Sequence, residues 1–455
     1  MAQILPEDTL YLIFLYASPS QLNDVSSNTL SLSPINFAGV CRAWRAAVAG
    51  RPSLWSHLDV DIHTTSPLDP RLLRVLETYL RNSGSGSLSF AFRLGTECTS
   101  QDSVAESITT QLLSQAHRWN DMAFQLHYPF LDKFLEEISL PPTPFLTSLL
   151  IGLEDDSWRM EKIRVLLDLS HCQQLQALTL RFGVKMDVLG KEKFRLESLT
   201  KLSLHVDKSN FEDFQKILIA SPNLDWLDAS ISEFSGSPQA PSFVGQETLS
   251  LPKLTQLSLT DDTRFLLIRF LNWLSCPNLR RLTIGDTPPY ESYAINRRLL
   301  QAFDEFIQRS LPPLTHLELR YRAEGGVHSA MHRDYSQIFN RTLHRLNDLH
   351  GLYLEGFVID NQLIQELTIK ENAEDIFWPQ LKEAVLYCQG YGVLAQSMAN
   401  MIVSRWDFGE LKSLEYCIQG VPDVSEQYAI DQRVSAGLVL VYQDWASWAF
   451  RGIRS

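Results

Sequence analysis

Several short strings in this chain carry residue types that chemistry uses. Asp407-Phe408-Gly409 spells a tripeptide whose carboxylate can hold magnesium against nucleotide phosphates. Phosphoryl transfer also needs a glycine-rich lid and an H-R-D-type loop, and neither precedes the tripeptide, so it predicts no such activity. Gly183 to Lys191 faintly outlines a phosphate loop. Gly190, however, follows Gly183 at an offset of seven, not five, and Glu192 stands where a magnesium-binding hydroxyl belongs. Gly84-Ser85-Gly86 and Gly390-Tyr391-Gly392 lack a third glycine and read as turns. His328 and His332 are spaced like two metal ligands on a helix face, but no glutamate or third ligand accompanies them, and Gly325-Gly326 just before predicts a solvated loop.

The six cysteines (Cys41, Cys98, Cys172, Cys276, Cys388, Cys417) are scattered without a C-x-x-C pair, which predicts buried reduced thiols and neither a disulfide framework nor a zinc ribbon. No G-x-S-x-G elbow occurs. The expectation is a chain without catalytic residues, cofactor or metal. Asp plus Glu number 53 against 40 Lys plus Arg, and the net charge of −13 is the wrong sign for phosphate backbones or anionic lipid, so nucleic acid and membranes are not expected partners. The apolar run Leu10 to Ala17 is too short to span a bilayer, and Glu7 and Asp8 before it oppose a signal peptide. A cytoplasmic or nuclear location follows as an expectation.

Two kinds of element could position whatever function remains. Residues 1–60 read as short helical pieces: Leu5, Leu10, Ile13, Phe14 and Ala17 at helical spacing after Pro6, then a polar stretch Ser18 to Asn36, then one helix from Phe37 to Ala49 ending near Gly50, then a turn at Leu54 and Trp55. Residues 61–455 repeat the pattern L-x-x-L-x-L. Good copies start at Leu146, Leu175, Leu199, Leu254, Leu279, Leu314 and Leu349, and weaker ones at Trp119, Leu224, Leu381 and Leu411. Starts lie 24 to 35 residues apart. Helical periodicity fills the intervals (Phe211 to Leu218, Phe265 to Asn272, Leu299 to Ile307, Leu394 to Ile402), and prolines such as Pro222, Pro252, Pro277, Pro313 and Pro379 precede the next triplet. The predicted fold is an α/β repeat: a small helical module followed by an irregular leucine-rich-repeat solenoid, a horseshoe in which each unit buries its apolar residues only against its neighbours.

The N-terminal module resembles the F-box. The residues that carry the resemblance are Leu5-Pro6-Glu7-Asp8-Thr9-Leu10 with Ile13-Phe14, then Val40-Cys41-Arg42-Ala43-Trp44-Arg45, then Pro52-Ser53-Leu54-Trp55. Asp8 and Thr9 depart from the usual Glu and aliphatic, and the Ser18 to Asn36 connection is long, as in fungal F-box proteins. The resemblance implies a substrate receptor of an SCF-type cullin ubiquitin ligase. Leu5, Pro6, Leu10, Ile13, Phe14, Val40, Trp44, Leu54 and Trp55 would then meet a Skp-type adaptor, and the repeats would hold an unknown target protein.

In an L-x-x-L-x-L strand the third, fifth and seventh positions face away from the leucines. That offset selects Arg181, Lys201, His205, Trp226, Asp228, Arg281, His316, Glu318, Arg320, Tyr353, Glu355, Glu383 and Tyr387 as the expected target-binding surface. Trp226 and Tyr353 are the expected anchors, and Arg281 and Arg320 the expected partners of an acidic or phosphorylated segment.

Overall fold

The structure is a computed structural model. It describes residues 5–17, 23–26, 33–62, 71–95, 103–126, 143–153, 169, 171–183, 195–207, 211–232, 247–261, 265–286, 293–320, 337–355, 359–370, 377–387, 393–417 and 424–442. His328, His332, Cys98, Cys388, Gly390-Tyr391-Gly392 and most of the Gly183 to Lys191 string lie outside them. The chain divides into two compact units, residues 1–222 and 223–455.

The first unit opens with α1 (Glu7–Ala17), β1 (Asn23–Ser26), α2 (Ser33–Val40) and α3 (Arg42–Ala49), followed by a 3-10 turn at Pro52–Trp55. It continues through β2 (His57–Ile62), α4 (Arg71–Asn82), β3 (Leu88–Leu94), α5 (Ser103–Ser114), β4 (Trp119–Leu126), β5 (Ser148–Leu153), β6 (Ala177–Gly183), β7 (Lys201–Asp207) and α6 (Phe211–Ala220). The seven strands lie side by side in chain order, every pairing parallel.

The second unit repeats the scheme with β8 (Trp226–Ser232), β9 (Leu249–Ser250), β10 (Gln256–Asp261), α7 (Phe265–Trp273), β11 (Leu274–Ser275), β12 (Arg281–Asp286) and α8 (Tyr293–Ser310). After these come β13 (His316–Arg320), β14 (Gly351–Glu355), α9 (Asn361–Leu367), β15 (Glu383–Tyr387), α10 (Ala395–Phe408), β16 (Ser413–Cys417), α11 (Val424–Ser435) and β17 (Val439–Tyr442). Here β8, β10 and β12 through β17 form the parallel ladder in chain order, and β9 pairs with β11 apart from it. The fold is therefore α/β with large parallel sheets, not closed into a barrel.

Each predicted triplet coincides with a strand, and the register stacks like upon like. Leu257, Leu282, Leu317 and Leu352 align, as do Leu259, Ile284, Leu319 and Leu354, and all are buried. A fully buried leucine stabilises by roughly 1.5–3 kcal/mol relative to an exposed one, so every unit adds its core only when its neighbour covers it. The ladder also starts one residue before each strand: Thr315 N donates to Arg280 O at 2.8 Å, His350 N to Thr315 O at 2.8 Å and Lys382 N to His350 O at 2.8 Å.

The N-terminal region departs from its expected layout in three ways. The polar stretch Ser18 to Asn36 contains β1, which pairs in parallel with β2 from Asn23↔Leu58 to Ser26↔Asp61. Pairing satisfies backbone groups of β2 that would otherwise form a sheet edge, a gain that hydrophobic periodicity does not register. The helix expected from Phe37 to Ala49 is two helices. Cys41 between them is extended (φ −159°, ψ 173°), and its Sγ accepts the Trp44 amide at 3.4 Å as an N-cap. Finally, the expected boundary at residue 60 falls inside β2, which continues the parallel sheet into β3.

Candidate functional site

The N-terminal helices assemble around aromatic rings. Phe14 of α1 stacks on Phe37 of α2 at 4.7 Å and meets Trp44 of α3 edge-on at 5.1 Å. Trp55 donates its indole N–H to Val48 O at 3.0 Å and packs edge-on against Tyr79 of α4 at 5.2 Å. Burial here pushes the Tyr79 phenol pKa up. Leu10, Phe14, Leu54 and Trp55 are consequently buried within the chain itself, and Trp44 is half-buried. This corrects the expectation that all nine residues offer a docking surface: so small a helical cluster uses its largest apolar side chains for its own core.

Leu5, Pro6, Ile13 and Val40 remain exposed, with Val40 at 60%. Around them α1 also exposes Leu12, Leu15 and, at 88%, Tyr16. Among the described side chains of this helix Leu10 and Phe14 are the fully buried ones, which leaves an apolar face outside of the kind that marks interaction sites. Asp8, the departure from the usual glutamate, forms an ion pair with Arg51. The Arg51 guanidinium also lies 5.1 Å over the Tyr11 ring.

On the sheets, the residues selected by the offset rule differ in exposure. In the first unit Arg181 and Lys201 are exposed and His205 is half-buried. In the second unit the outward positions form three rows. Trp226, Gln256, Arg281, His316, Gly351 and Glu383 align in the first. Asp228, Ser258, Thr283, Glu318, Tyr353, Val385 and Glu415 align in the second. Arg320, Glu355, Tyr387 and Cys417 align in the third.

Seven residues of these rows join into one network. Arg320 pairs with Glu318 and stacks its guanidinium 5.1 Å over the Tyr353 ring. Thr283 donates to Glu318 at 3.2 Å, and the Tyr353 hydroxyl donates to Glu355 at 2.8 Å. The Tyr387 ring meets Tyr353 edge-on at 5.9 Å, and its hydroxyl donates to Glu415. Burial, then the hydrogen bond to a carboxylate, raises the pKa of both phenols. Burial opposes the Arg320 charge, but Glu318 outweighs it and raises that pKa.

Two expectations change here. Glu355 and Tyr387 are buried, because neighbouring strands place a ring or carboxylate over each. Arg320 is engaged by Glu318 and Tyr353, so it is not a vacant cation awaiting an acidic segment. The His316 imidazole, held against Gly351 where a Cβ would come within 2.6 Å of its ring, has its pKa lowered by burial and then by Arg281. Trp226 and Asp228 are half-buried, Glu383 is exposed, and Arg281 is exposed two strands from Trp226.

Sequence reasoning missed Glu415 because the copy starting at Leu411 is weak, though the same offset selects it. It also missed a set of buried or half-buried polar groups on the helical side. Arg118 donates to Ser83 Oγ and Gly86 O at 3.0 Å, Arg309 donates to Leu274 O at 2.9 Å, and Arg405 donates to Trp378 O at 2.7 Å as well as to Leu367 O and Phe377 O. Each guanidinium collects carbonyls that the preceding turn or helix end leaves over, the place where a cation is favoured. Asp304 of α8 is buried and accepts from Arg341 and Arg345 at 2.7 Å, Gln308 at 2.7 Å and Thr342 at 2.9 Å.

Asp407 of the magnesium-like tripeptide pairs with Arg433, and Gly84-Ser85-Gly86 is a turn in which Gly84 has φ +59°. Among the described residues no group of three or more His, Cys, Asp or Glu is arranged to hold a metal ion, and no helix is long and apolar enough to cross a membrane. No family model matches the chain, and no curated protein matches it either.

Proposed function

We propose that this protein is a non-catalytic substrate receptor of an SCF-type cullin ubiquitin ligase. The N-terminal helices dock a Skp-type adaptor as an F-box does, and the strand–helix units act as an irregular leucine-rich-repeat array that holds a target protein. The contribution to chemistry is proximity: a target lysine is kept near an activated ubiquitin that other subunits carry. The observation that carries this reading is the apolar face of α1, where Leu12, Ile13, Leu15 and Tyr16 are exposed, as are Leu5 and Val40, in a region that spells the F-box order of residues. Apolar side chains in that number are stabilised by a permanent protein partner.

A second reading has its own support. Trp55 packs on Tyr79, and β2 runs straight into the sheet, so the helices also suit a cap that ends a repeat scaffold. Adaptor capture separates the two. Full-length protein should retain a purified Skp-type adaptor, and Ile13→Asp should lose it by placing an unpaired charge in a desolvated contact, while its thermal melting stays unchanged because Ile13 is outside the core. Absence of adaptor capture by the unaltered chain refutes the receptor reading and leaves the cap.

A further inference from the structure

We infer that the entry side of the sheet at β10, β12 and β13 is a docking surface for a short acidic protein segment, centred on Arg281. This rests on reading the repeat array as the target-holding part of the molecule and specifies what it holds.

Three cations gather there without counter-ions. Lys253 lies in the turn that enters β10, Arg280 immediately precedes β12, and Arg281 opens it. All three are exposed, and none forms an ion pair among the described residues. The stacking of the units brings them together. Asn278 donates to Pro252 O at 2.7 Å, so the two entry turns lie one on the other, and the Arg280 and Arg281 amides donate to Thr255 O at 2.9 and 3.0 Å. With strands about 4.8 Å apart, the three backbone positions fall within about 10 Å of one another.

The adjoining positions leave this charge unopposed. Arg281 stands in register between Gln256 and His316. Carboxylates at the border of the cluster are engaged elsewhere: Asp225 accepts from Thr255 Oγ1 at 2.6 Å, and Glu318 pairs with Arg320. Glu383 lies three strands from Arg281 in the same row. The His316 imidazole registers the field, since burial and then Arg281 lower its pKa against the opposing pull of Glu383.

On a chain of net charge −13, three exposed cations held together are the charge complement of an acidic partner. They are spread over two neighbouring units and do not converge on one point. That spread suits successive carboxylates on one face of an extended segment, about 7 Å apart, better than a single phosphate. Trp226 is half-buried two strands from Arg281 in the same row, with the exposed Gln256 between them, and offers an apolar contact beside the carboxylates.

The test is fluorescence anisotropy of full-length protein with labelled penta-glutamate at low salt, where a chain of net charge −13 repels a polyanion unless a local cluster holds it. Two variants that each remove two adjacent arginines are compared: Arg280→Gln with Arg281→Gln on this surface, and Arg297→Gln with Arg298→Gln on α8 of the same unit. All four side chains are exposed, so neither variant disturbs the core. Penta-glutamate should bind the first variant about fivefold more weakly than the parent and the second within about twofold of it.

Gln256→Glu supplies a resident carboxylate beside Arg281 and should weaken penta-glutamate to the same degree. Failure of the parent to bind penta-glutamate, equal losses in the two double variants, or unaltered binding by Gln256→Glu would overturn the assignment. Tighter binding of an oligothymidylate of equal charge would overturn it too, by showing a preference for phosphate. Adaptor capture measured on the same proteins reports on the receptor reading separately, since none of these residues lies in residues 1–60.

Discussion

Replacing Arg405 by methionine keeps most of the side chain's volume and removes its donors. Arg405 is 1% exposed and serves the carbonyls of Leu367, Phe377 and Trp378. An interior carbonyl deprived of its donor costs about 1–3 kcal/mol, so three together cost about 6 kcal/mol at mid-range. The methionine variant also escapes the desolvation of a buried charge. That desolvation pushes the Arg405 pKa from 12.5 down to about 10, equivalent to about 3 kcal/mol at 1.36 kcal/mol per unit.

The difference leaves a net destabilisation of about 3 kcal/mol, concentrated where α9 and α10 meet. A chain of two units need not unfold in one step, so the suitable assay is local hydrogen exchange. The Ile369 amide, which donates to Ser404 Oγ at 3.0 Å beside Arg405, should exchange roughly 100-fold faster in the variant. Unchanged or slower exchange at Ile369 would mean that desolvation outweighs the three bonds and would refute the capping role.

Asp304→Ala should destabilise by about 3 kcal/mol, because it strands Arg341, Arg345 and Thr342 around a partly buried hole, and the denaturant midpoint of the second unit should fall accordingly. The cysteines should divide by environment under alkylation at pH 8.5. Cys41 is exposed and should label within minutes. Cys276 should label only after unfolding, since burial raises its pKa to about 12 despite the opposing pull of Arg309 and keeps the thiol neutral. Peptide mass mapping of the native protein reads both, and early labelling of Cys276 would contradict the packing of α7 and α8 around it.

Strands β4 to β8, β10 and β12 to β16 were legible in the sequence because each carries its own apolar triplet, whereas the two-residue strands β9 and β11 carry none. Leu317 and Leu319 point inward whatever their neighbours are, since alternation belongs to the strand itself. The outward set that includes Glu318, Arg320 and Tyr353 followed from the same alternation. Helices α6, α7, α8 and α10 were legible for the corresponding reason at their own period. The N-terminal string of Leu, Ile, Phe and Trp marked an apolar helical module, but periodicity has no term for which of those residues fill the core.

Only the tertiary structure decided that Phe14 and Trp55 turn inward while Ile13 and Val40 stay outside, because Phe37, Val48 and Tyr79 that receive the first two lie 23, 7 and 24 residues away along the chain. It alone paired β1 with β2, a contact between backbones that side-chain pattern does not encode. It also decided the charge of the sheet face. Arg320 is two residues from Glu318 but stacks on Tyr353 from the next strand, and Tyr387 reaches Glu415 across 28 residues. Strand register sets which charges neutralise one another, and register is a property of neighbouring units that no single repeat contains.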